Sequence, residues 1–196
     1  MLFYVPAGGS QPVAGSGRTA TLIFAAPERE VVYSLNVAVP GRVHRLAADL
    51  YPELVGFERI REDHAILLKR LGDGRFPRIA ERTREALAGA PAGEARITDI
   101  DYFTDPPRGS SPVVYLAVES PALERIHRQL VDALGAADGL EGPDYTLHVT
   151  LARDGDLATA QRLADREIEP IEWTVSACQF YDAVDREVIR RVPLPA

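Results

Sequence analysis

The sequence is poor in the features that mark secreted, disulfide-bonded and membrane-spanning proteins. It contains a single cysteine, Cys178, so it can form no internal disulfide and offers no cysteine-based zinc site. No apolar run approaches the roughly 18 residues that a transmembrane helix needs. The N-terminal segment lacks a basic start, and Pro6, Gly8 and Gly9 interrupt its apolar stretch too early for a signal peptide. We therefore expect a soluble, cytoplasmic protein without a membrane partner.

Positive charge is also scarce, and it is almost entirely arginine. The formal net charge is −7, and Lys69 is the only lysine among the 22 basic residues. A protein that holds long nucleic acids through many phosphate contacts needs a clustered basic surface, which this composition argues against. An enzyme that handles one phosphate in a local basic pocket is still compatible with it.

The length of the chain limits its domain organisation. A chain of 196 residues with 46% hydrophobic content is long enough for one buried core and short for two. Residues 5–19 are rich in glycine, proline and serine, which is typical of a flexible segment. We predict a partly flexible leader at 1–30 and a single domain at 31–196, which we expect to be a monomer.

Hydrophobic periodicity and turn residues divide the chain into alternating strands and helices. Strands are predicted at 31–39, 59–71, 96–103, 113–118, 145–153, 171–181 and 187–192. Helices are predicted at 41–53, at 76–90, from Pro121 after the N-cap residue Ser120, and at 157–166. The halves 31–103 and 113–192 therefore follow the same order, and each has a histidine in its middle strand.

The histidine of the second half lies in the segment HVTLAR, residues 148–153. Alternate residues of a strand share a face, so His148 and Thr150 point the same way. An imidazole beside a hydroxyl can both transfer a proton and hydrogen-bond a phosphate oxygen. Arg153, at the end of this strand, adds a forked donor suited to phosphate.

The corresponding segment of the first half is EDHAILLKR, residues 62–70. Here His64, Ile66 and Leu68 share a face, and Lys69 and Arg70 follow at the position that Arg153 has in the second half. The residue two places after the histidine is Ile66, which has no hydroxyl to offer a phosphate.

These segments resemble a known family. HVTLAR is similar to the H-x-[S/T]-hydrophobic motif of two-histidine phosphoesterases, and most similar to the branch of 2′-5′ RNA ligases and RNA 2′,3′-cyclic phosphodiesterases. The resemblance covers roughly residues 33–193. YSLNVAVP resembles the opening strand of that family, and WTVSACQFYDAVDREVIRRVPLP resembles its closing hairpin. Ile66 departs from the family pattern, which has serine or threonine there.

The resemblance implies an α+β, bilobal fold, in which two pseudo-symmetric halves place antiparallel sheets around a central cleft and helices outside. It also implies that His64 and His148 form a catalytic acid–base pair, that Thr150 holds the phosphate, and that no metal or other cofactor takes part. Arg153 and Lys69 are our further candidates for binding phosphate. The expected activity is that of an RNA 2′,3′-cyclic phosphodiesterase that forms a 2′-phosphate, with 2′-5′ RNA ligation as the reverse reaction.

Two alternatives stay open from the sequence. Ile66 favours a protein that binds RNA ends or nucleotides without catalysis. The acidic net charge favours a phosphodiesterase for a small cyclic nucleotide over an enzyme for long RNA. The remaining histidines, His44 and His127, are predicted to lie at the surface or at the edge of the core.

Overall fold

The structure is a computed structural model that describes residues 32–143 and 145–195. The predicted leader at 1–30 lies outside these ranges. The described elements are, in chain order, β1 (Tyr33–Ala38), α1 (Gly41–Leu54), β2 (Arg59–Ile60), β3 (Ala65–Gly72), α2 (Phe76–Ala86), β4 (Gly93–Phe103), β5 (Val113–Glu119), α3 (Pro121–Leu134), β6 (His148–Arg153), α4 (Leu157–Ala164), β7 (Ile171–Val175), β8 (Ala177–Asp182) and β9 (Glu187–Pro193).

Two of the helices begin at residues whose side chains cap them. The Ser120 hydroxyl accepts a hydrogen bond from the Leu123 amide at 3.2 Å, and Pro121 occupies the first turn of α3, as predicted. At α4 the Asp156 carboxylate accepts a hydrogen bond from the Thr159 amide at 2.8 Å. Each helix turns an apolar face inward, which for α1 is formed by Val43, Ala47, Leu50 and Leu54. None of the helices in the described ranges has the length and apolar character needed to cross a membrane.

The strands form two antiparallel sheets, which confirms the predicted fold class. The first sheet has the order β3-β1-β8-β9 and the second has the order β2-β6-β5-β4-β7. Apart from β2, the two sheets share one plan: a motif strand, the opening strand of the same half, and then two further strands, of which at least one comes from later in the chain. The buried apolar side chains form one continuous cluster.

The sheets do not coincide with the halves 31–103 and 113–192. β4 ends the first half but pairs with β5, and β8 belongs to the second half but pairs with β1. β4 and β5 are consecutive in the chain, and consecutive strands commonly pair as neighbours. Each sheet is therefore built from both halves of the sequence.

Two predicted strands are in fact divided between the sheets. The predicted strand 59–71 is interrupted, so that β2 joins the second sheet and β3 joins the first. The predicted strand 171–181 likewise splits into β7 and β8, which lie in different sheets. Both predictions were wrong because no glycine or proline marks the place at which the chain passes from one sheet to the other. The two motif strands β3 and β6 belong to different sheets and lie in contact with each other.

Candidate active site

A cleft lies beside the two motif strands. It has a volume of about 680 Å³, within the range of roughly 300–1,000 Å³ that is usual for small-molecule sites. Its walls come from β2, β3, β6, the loop after β4 and the segment before β6. The site is therefore assembled from both sheets and from both halves of the sequence.

His148, the first residue of β6, lines this cleft. Its Nδ1 lies 2.7 Å from the carbonyl oxygen of Thr146. A carbonyl can only accept a hydrogen bond, so Nδ1 carries the proton and Nε2 is the atom that can take up another. The rings of Phe103 and Tyr115 pack edge-on against the imidazole, with centroids 5.4 Å and 5.3 Å away. These contacts fix both the tautomer and the orientation of the ring.

The surroundings of His148 favour its neutral form. Burial lowers the pKa of the imidazole below its usual value of 6.5. The hydrogen bond to Thr146 raises the pKa in part, and the positive charges of Arg70 and Arg153 lower it again. His148 is therefore prepared to act as a base near neutral pH.

Thr150 and Arg153, both predicted phosphate ligands, line the cleft together with His148. Arg153 donates a hydrogen bond from Nη1 to the carbonyl oxygen of Arg108 at 3.2 Å, and its Nε has no hydrogen-bond partner within 32–143 and 145–195. Gly109 makes this approach possible, because a Cβ there would lie 2.4 Å from Arg153 Nη1. The loop after β4 thus wraps around the guanidinium and leaves donor capacity for an anion.

His64 lies immediately before β3 and is not among the residues that line the cleft. Its ring packs edge-on against that of His44 in α1, with centroids 5.6 Å apart. Burial lowers the pKa of His64, and the neighbouring His44 lowers it further. The structure therefore brings His148, Thr150 and Arg153 together in the cleft, whereas His64 packs against α1.

The face of β3 that meets the cleft differs from the predicted one. Ile66 and Leu68 share a face, as predicted, but both are 0% exposed and belong to the core. Ala65 and Leu67 line the cleft instead. Ile66 therefore lies in the core, where strand alternation directs it.

The structure places Lys69, a predicted phosphate ligand, in a buried ion pair and not among the residues that line the cleft. The residue is 3% exposed, and its Nζ lies 2.5 Å from Oε2 of Glu141. A lysine that is buried in an ion pair is not available to a phosphate in the cleft. Its neighbour Arg70 lines the cleft in its place.

Glu141 fastens the segment before β6 to β3. Its carboxylate accepts hydrogen bonds from Lys69 Nζ, from the Arg70 amide at 2.6 Å and from the Ala137 amide at 2.9 Å. Burial by itself raises the pKa of this carboxyl, but the hydrogen bonds from Arg70 and Lys69 outweigh it and hold the pKa below 4.5. Glu141 is therefore ionised at neutral pH.

His127 strengthens the same junction and is more buried than predicted. It is 2% exposed, its Nδ1 donates to the carbonyl oxygen of Leu68 at 2.8 Å, and its ring stacks on Tyr145 at 3.6 Å. The Tyr145 hydroxyl in turn donates to the carbonyl oxygen of Leu67 at 2.6 Å. Tyr145 lines the cleft, so these contacts hold one of its walls in place.

The sequence reasoning missed three arginines of the cleft. Arg59, Arg61 and Arg108 line it together with Arg70 and Arg153, against a single carboxylate, Asp105. Two arginines at alternate positions, 59 and 61, were the available signal, but they resembled the solvent-facing charges of an ordinary strand. Within the described ranges no group of three or more metal-binding side chains could hold an ion. The cleft offers arginines, hydroxyl groups that include that of Thr150, and one imidazole.

Comparison with known proteins agrees with this architecture. The sequence matches the profile of the 2′-5′ RNA ligase superfamily over residues 35–187. No match was found among curated proteins. Among solved structures, TT0787 of Thermus thermophilus has a TM-score of 0.61 at 18% identity and covers 83% of this chain and 97% of its own. E. coli LigT complexed with 3′-AMP has a TM-score of 0.64 at 14% identity and covers 86% of this chain and 100% of its own.

A third structure, named as a phosphoesterase, has a TM-score of 0.60 at 16% identity and covers 86% of this chain and 100% of its own. At such identities these likenesses concern the fold. The profile match spans most of the chain and includes both motif segments and most of the strands that build the cleft. The chain therefore belongs to the 2′-5′ RNA ligase superfamily of two-histidine phosphoesterases.

Proposed function

We propose that this protein hydrolyses a 2′,3′-cyclic phosphate, at an RNA end or on a small nucleotide, to a 2′-phosphate without a metal ion. The observation that carries the proposal is His148, held in one tautomer beside Thr150 and between the charges of Arg70 and Arg153. Family membership supports it. E. coli LigT, which shares the fold, is known in complexes with 3′-AMP, ATP and NADP+.

Each group in the cleft has a defined role in this reaction. Arg70 and Arg153 neutralise the phosphate, and the Thr150 hydroxyl donates to one of its oxygens. Nε2 of His148 takes a proton from the attacking water as the water oxygen bonds to phosphorus. The bond from phosphorus to the 3′ oxygen then breaks, that oxygen takes up a proton from solvent water, and the phosphate stays on the 2′ oxygen. His148 afterwards releases its proton to solvent. When a 5′-hydroxyl instead of water attacks the cyclic phosphate, the bond to the 3′ oxygen breaks in the same way and the product is a 2′-5′ linkage.

The mechanism expected from the sequence uses a second histidine, His64, to protonate the leaving oxygen. In the structure the cleft-lining residues of β3 are Ala65, Leu67 and Arg70, and none of them is a histidine that could protonate the leaving oxygen. We propose that His148 is the histidine responsible for catalysis in this arrangement. A general acid typically contributes about 10²- to 10⁴-fold to a rate, so we expect turnover to be slow.

The same observation favours a second candidate function. A cleft with one histidine and five arginines is well suited to hold a nucleotide or RNA end without converting it. The protein would then be a binding protein that keeps the family's cleft but lacks its full proton-transfer apparatus.

One experiment separates these functions. The purified protein is incubated, with EDTA, with a short RNA that ends in a 2′,3′-cyclic phosphate, and the products are resolved by chromatography. His148→Ala, His64→Ala and His44→Ala are assayed in parallel, and His44 serves as the matched control because it is an exposed histidine. We expect a 2′-phosphate product, a loss of at least about 100-fold in His148→Ala, and changes of only a few fold in the other two variants.

Each of the other outcomes has a definite meaning. Loss of turnover in both His148→Ala and His64→Ala, with His44→Ala active, would show that His64 enters the cleft and that the two-histidine mechanism operates. A 3′-phosphate product, or inhibition by EDTA, would contradict the proposed reaction. Binding of the RNA end without turnover in the parent protein would establish the binding function.

A further inference from the structure

The cleft carries more positive charge than one phosphate requires. Five arginines and one aspartate line it, although the whole chain has a net charge of −7. None of the ion pairs formed among residues 32–143 and 145–195 involves a cleft arginine. Uncompensated arginines gathered in a concave site concentrate a positive field that attracts anions.

The arginines fall into an inner and an outer group. Arg70 and Arg153 line the cleft together with His148, and their charges lower its pKa, so we assign them to the reacting phosphate. Arg59 and Arg61 are exposed and lie across the ladder from β6, where Arg59 is the direct partner of Arg153 and the Arg61 amide donates to Leu151. The outer pair therefore lies one strand away from the inner group.

This placement has a cost that a ligand would offset. Like charges directly opposite each other on neighbouring strands are destabilising. Burial lowers the pKa of the Arg153 guanidinium, and the positive charges of Arg61 and Arg59 lower it further. One phosphate carries at most about two negative charges, which Arg70 and Arg153 already balance. A further anion bound beside them would relieve the repulsion between the outer pair and Arg153.

The break in the predicted strand 59–71 produces this arrangement. β2 leaves the line of β3 and pairs with the end of β6, which carries Arg59 and Arg61 to the mouth of the cleft. Arg108 joins them from the loop after β4, held by its backbone contact with Arg153. The outer group thus comes from two separate segments of the chain.

We propose that Arg59, Arg61 and Arg108 form a second phosphate subsite, so that the substrate carries another phosphate group beside the one at His148. This inference rests on the proposed function, because it assumes that the inner site takes the reacting phosphate. It selects an RNA 3′-terminal nucleotide with its 5′ phosphate over a cyclic mononucleotide that has only one phosphate.

The test measures binding instead of turnover. Titration calorimetry compares adenosine 2′-monophosphate with adenosine 2′,5′-bisphosphate, which resemble the product without and with the second phosphate. Hydrogen bonds to charged groups correspond to about a 10- to 100-fold change in affinity each. We expect the parent protein to bind the bisphosphate at least tenfold more tightly, and this preference to weaken as salt is raised.

The test variant is Arg59→Gln/Arg61→Gln, and its control is Arg84→Gln/Arg125→Gln, which removes the same charge from exposed positions on α2 and α3. We expect the test variant to reduce the preference to less than about threefold while monophosphate affinity changes little. The control variant should keep the full preference.

Three results would overturn the subsite. These are equal affinity of the parent protein for both ligands, equal weakening of both ligands in the test variant, and an absence of binding by either ligand. The proposed function fails separately. A bisphosphate preference in a protein that does not hydrolyse cyclic phosphate would support the subsite and reject the reaction, and hydrolysis without a preference would do the reverse.

Discussion

The buried pair of Lys69 and Glu141 gives the most quantitative prediction of this structure. The exposed fractions of the two side chains are 3% and 0%, and their charged atoms lie 2.5 Å apart. Glu141→Gln keeps the shape of the side chain but removes the charge that compensates Lys69. Removing one partner of a buried pair costs about 3–5 kcal/mol, since the other charge is left in a medium that solvates it poorly. We expect Glu141→Gln to lower the free energy of unfolding by about this amount.

Lys69→Met should cost less than Glu141→Gln. When the lysine is removed, Glu141 keeps its hydrogen bonds from the Arg70 and Ala137 amides, which still solvate the carboxylate. When the carboxylate charge is removed, Lys69 still donates to the carbonyl oxygen of Arg70 but has no anionic partner among the described residues. The two single variants and the double variant form a thermodynamic cycle that measures the coupling between the charges.

Urea unfolding at pH 7, followed by far-UV circular dichroism, measures all three variants. Glu81→Gln, at an exposed position on α2, is the control and should stay within about 0.5 kcal/mol of the parent. The folded pKa of Glu141 is depressed, so its stabilising contribution is present above the ordinary carboxyl value of 4.5 and is lost as the pH falls through the folded pKa. The difference between the parent and Glu141→Gln should therefore shrink below pH 4.5. A loss smaller than about 1 kcal/mol at pH 7 would refute the reasoning, because it would mean that Lys69 is solvated without its partner.

Three further predictions concern the cleft. The activity of the parent protein should rise with pH through a pKa below 6.5. Arg70→Gln should move this rise to higher pH, because removing a positive charge raises the pKa of His148. A pH profile of kcat/KM measures the shift, and an unchanged profile would exclude His148 as the base. Gly109→Ala should raise KM, because the new Cβ would displace Arg153. The control is Gly89→Ala: Gly89 has a similar positive φ but no atom within 4 Å of the added Cβ, so this variant should show only the backbone strain of about 1–2 kcal/mol. Equal KM values for the two variants would contradict the role of Arg153. Ile66→Thr places a hydroxyl in the core, so it should lower the free energy of unfolding by about 2 kcal/mol without a gain in activity. Thermal or urea unfolding measures the loss. A gain in kcat would show instead that residue 66 faces the cleft.

Much of this molecule followed from local patterns in the sequence. The order of strands and helices, the cap at Ser120 and the shared face of His148 and Thr150 depend on residue spacing and on the chemistry of neighbouring residues. The family resemblance implied the α+β class and the antiparallel sheets. A strand alternates with a period of two wherever it lies, so the polar face of a short segment can be read without knowing its partners. The family resemblance was confirmed for the same reason, because its motifs are local.

What the tertiary structure decided is where those local faces point and which charges they meet. Alternation shows that Ile66 and Leu68 share a face, but only packing shows that this face belongs to the core and that Ala65 and Leu67 meet the cleft. No local signal marks where the chain passes from one sheet to the other, and that passage brings Arg59 beside Arg153. Burial of Lys69 required a partner 72 residues away. Pairing across sheets and burial of charge depend on contacts between distant residues, and these exist only once the chain has folded.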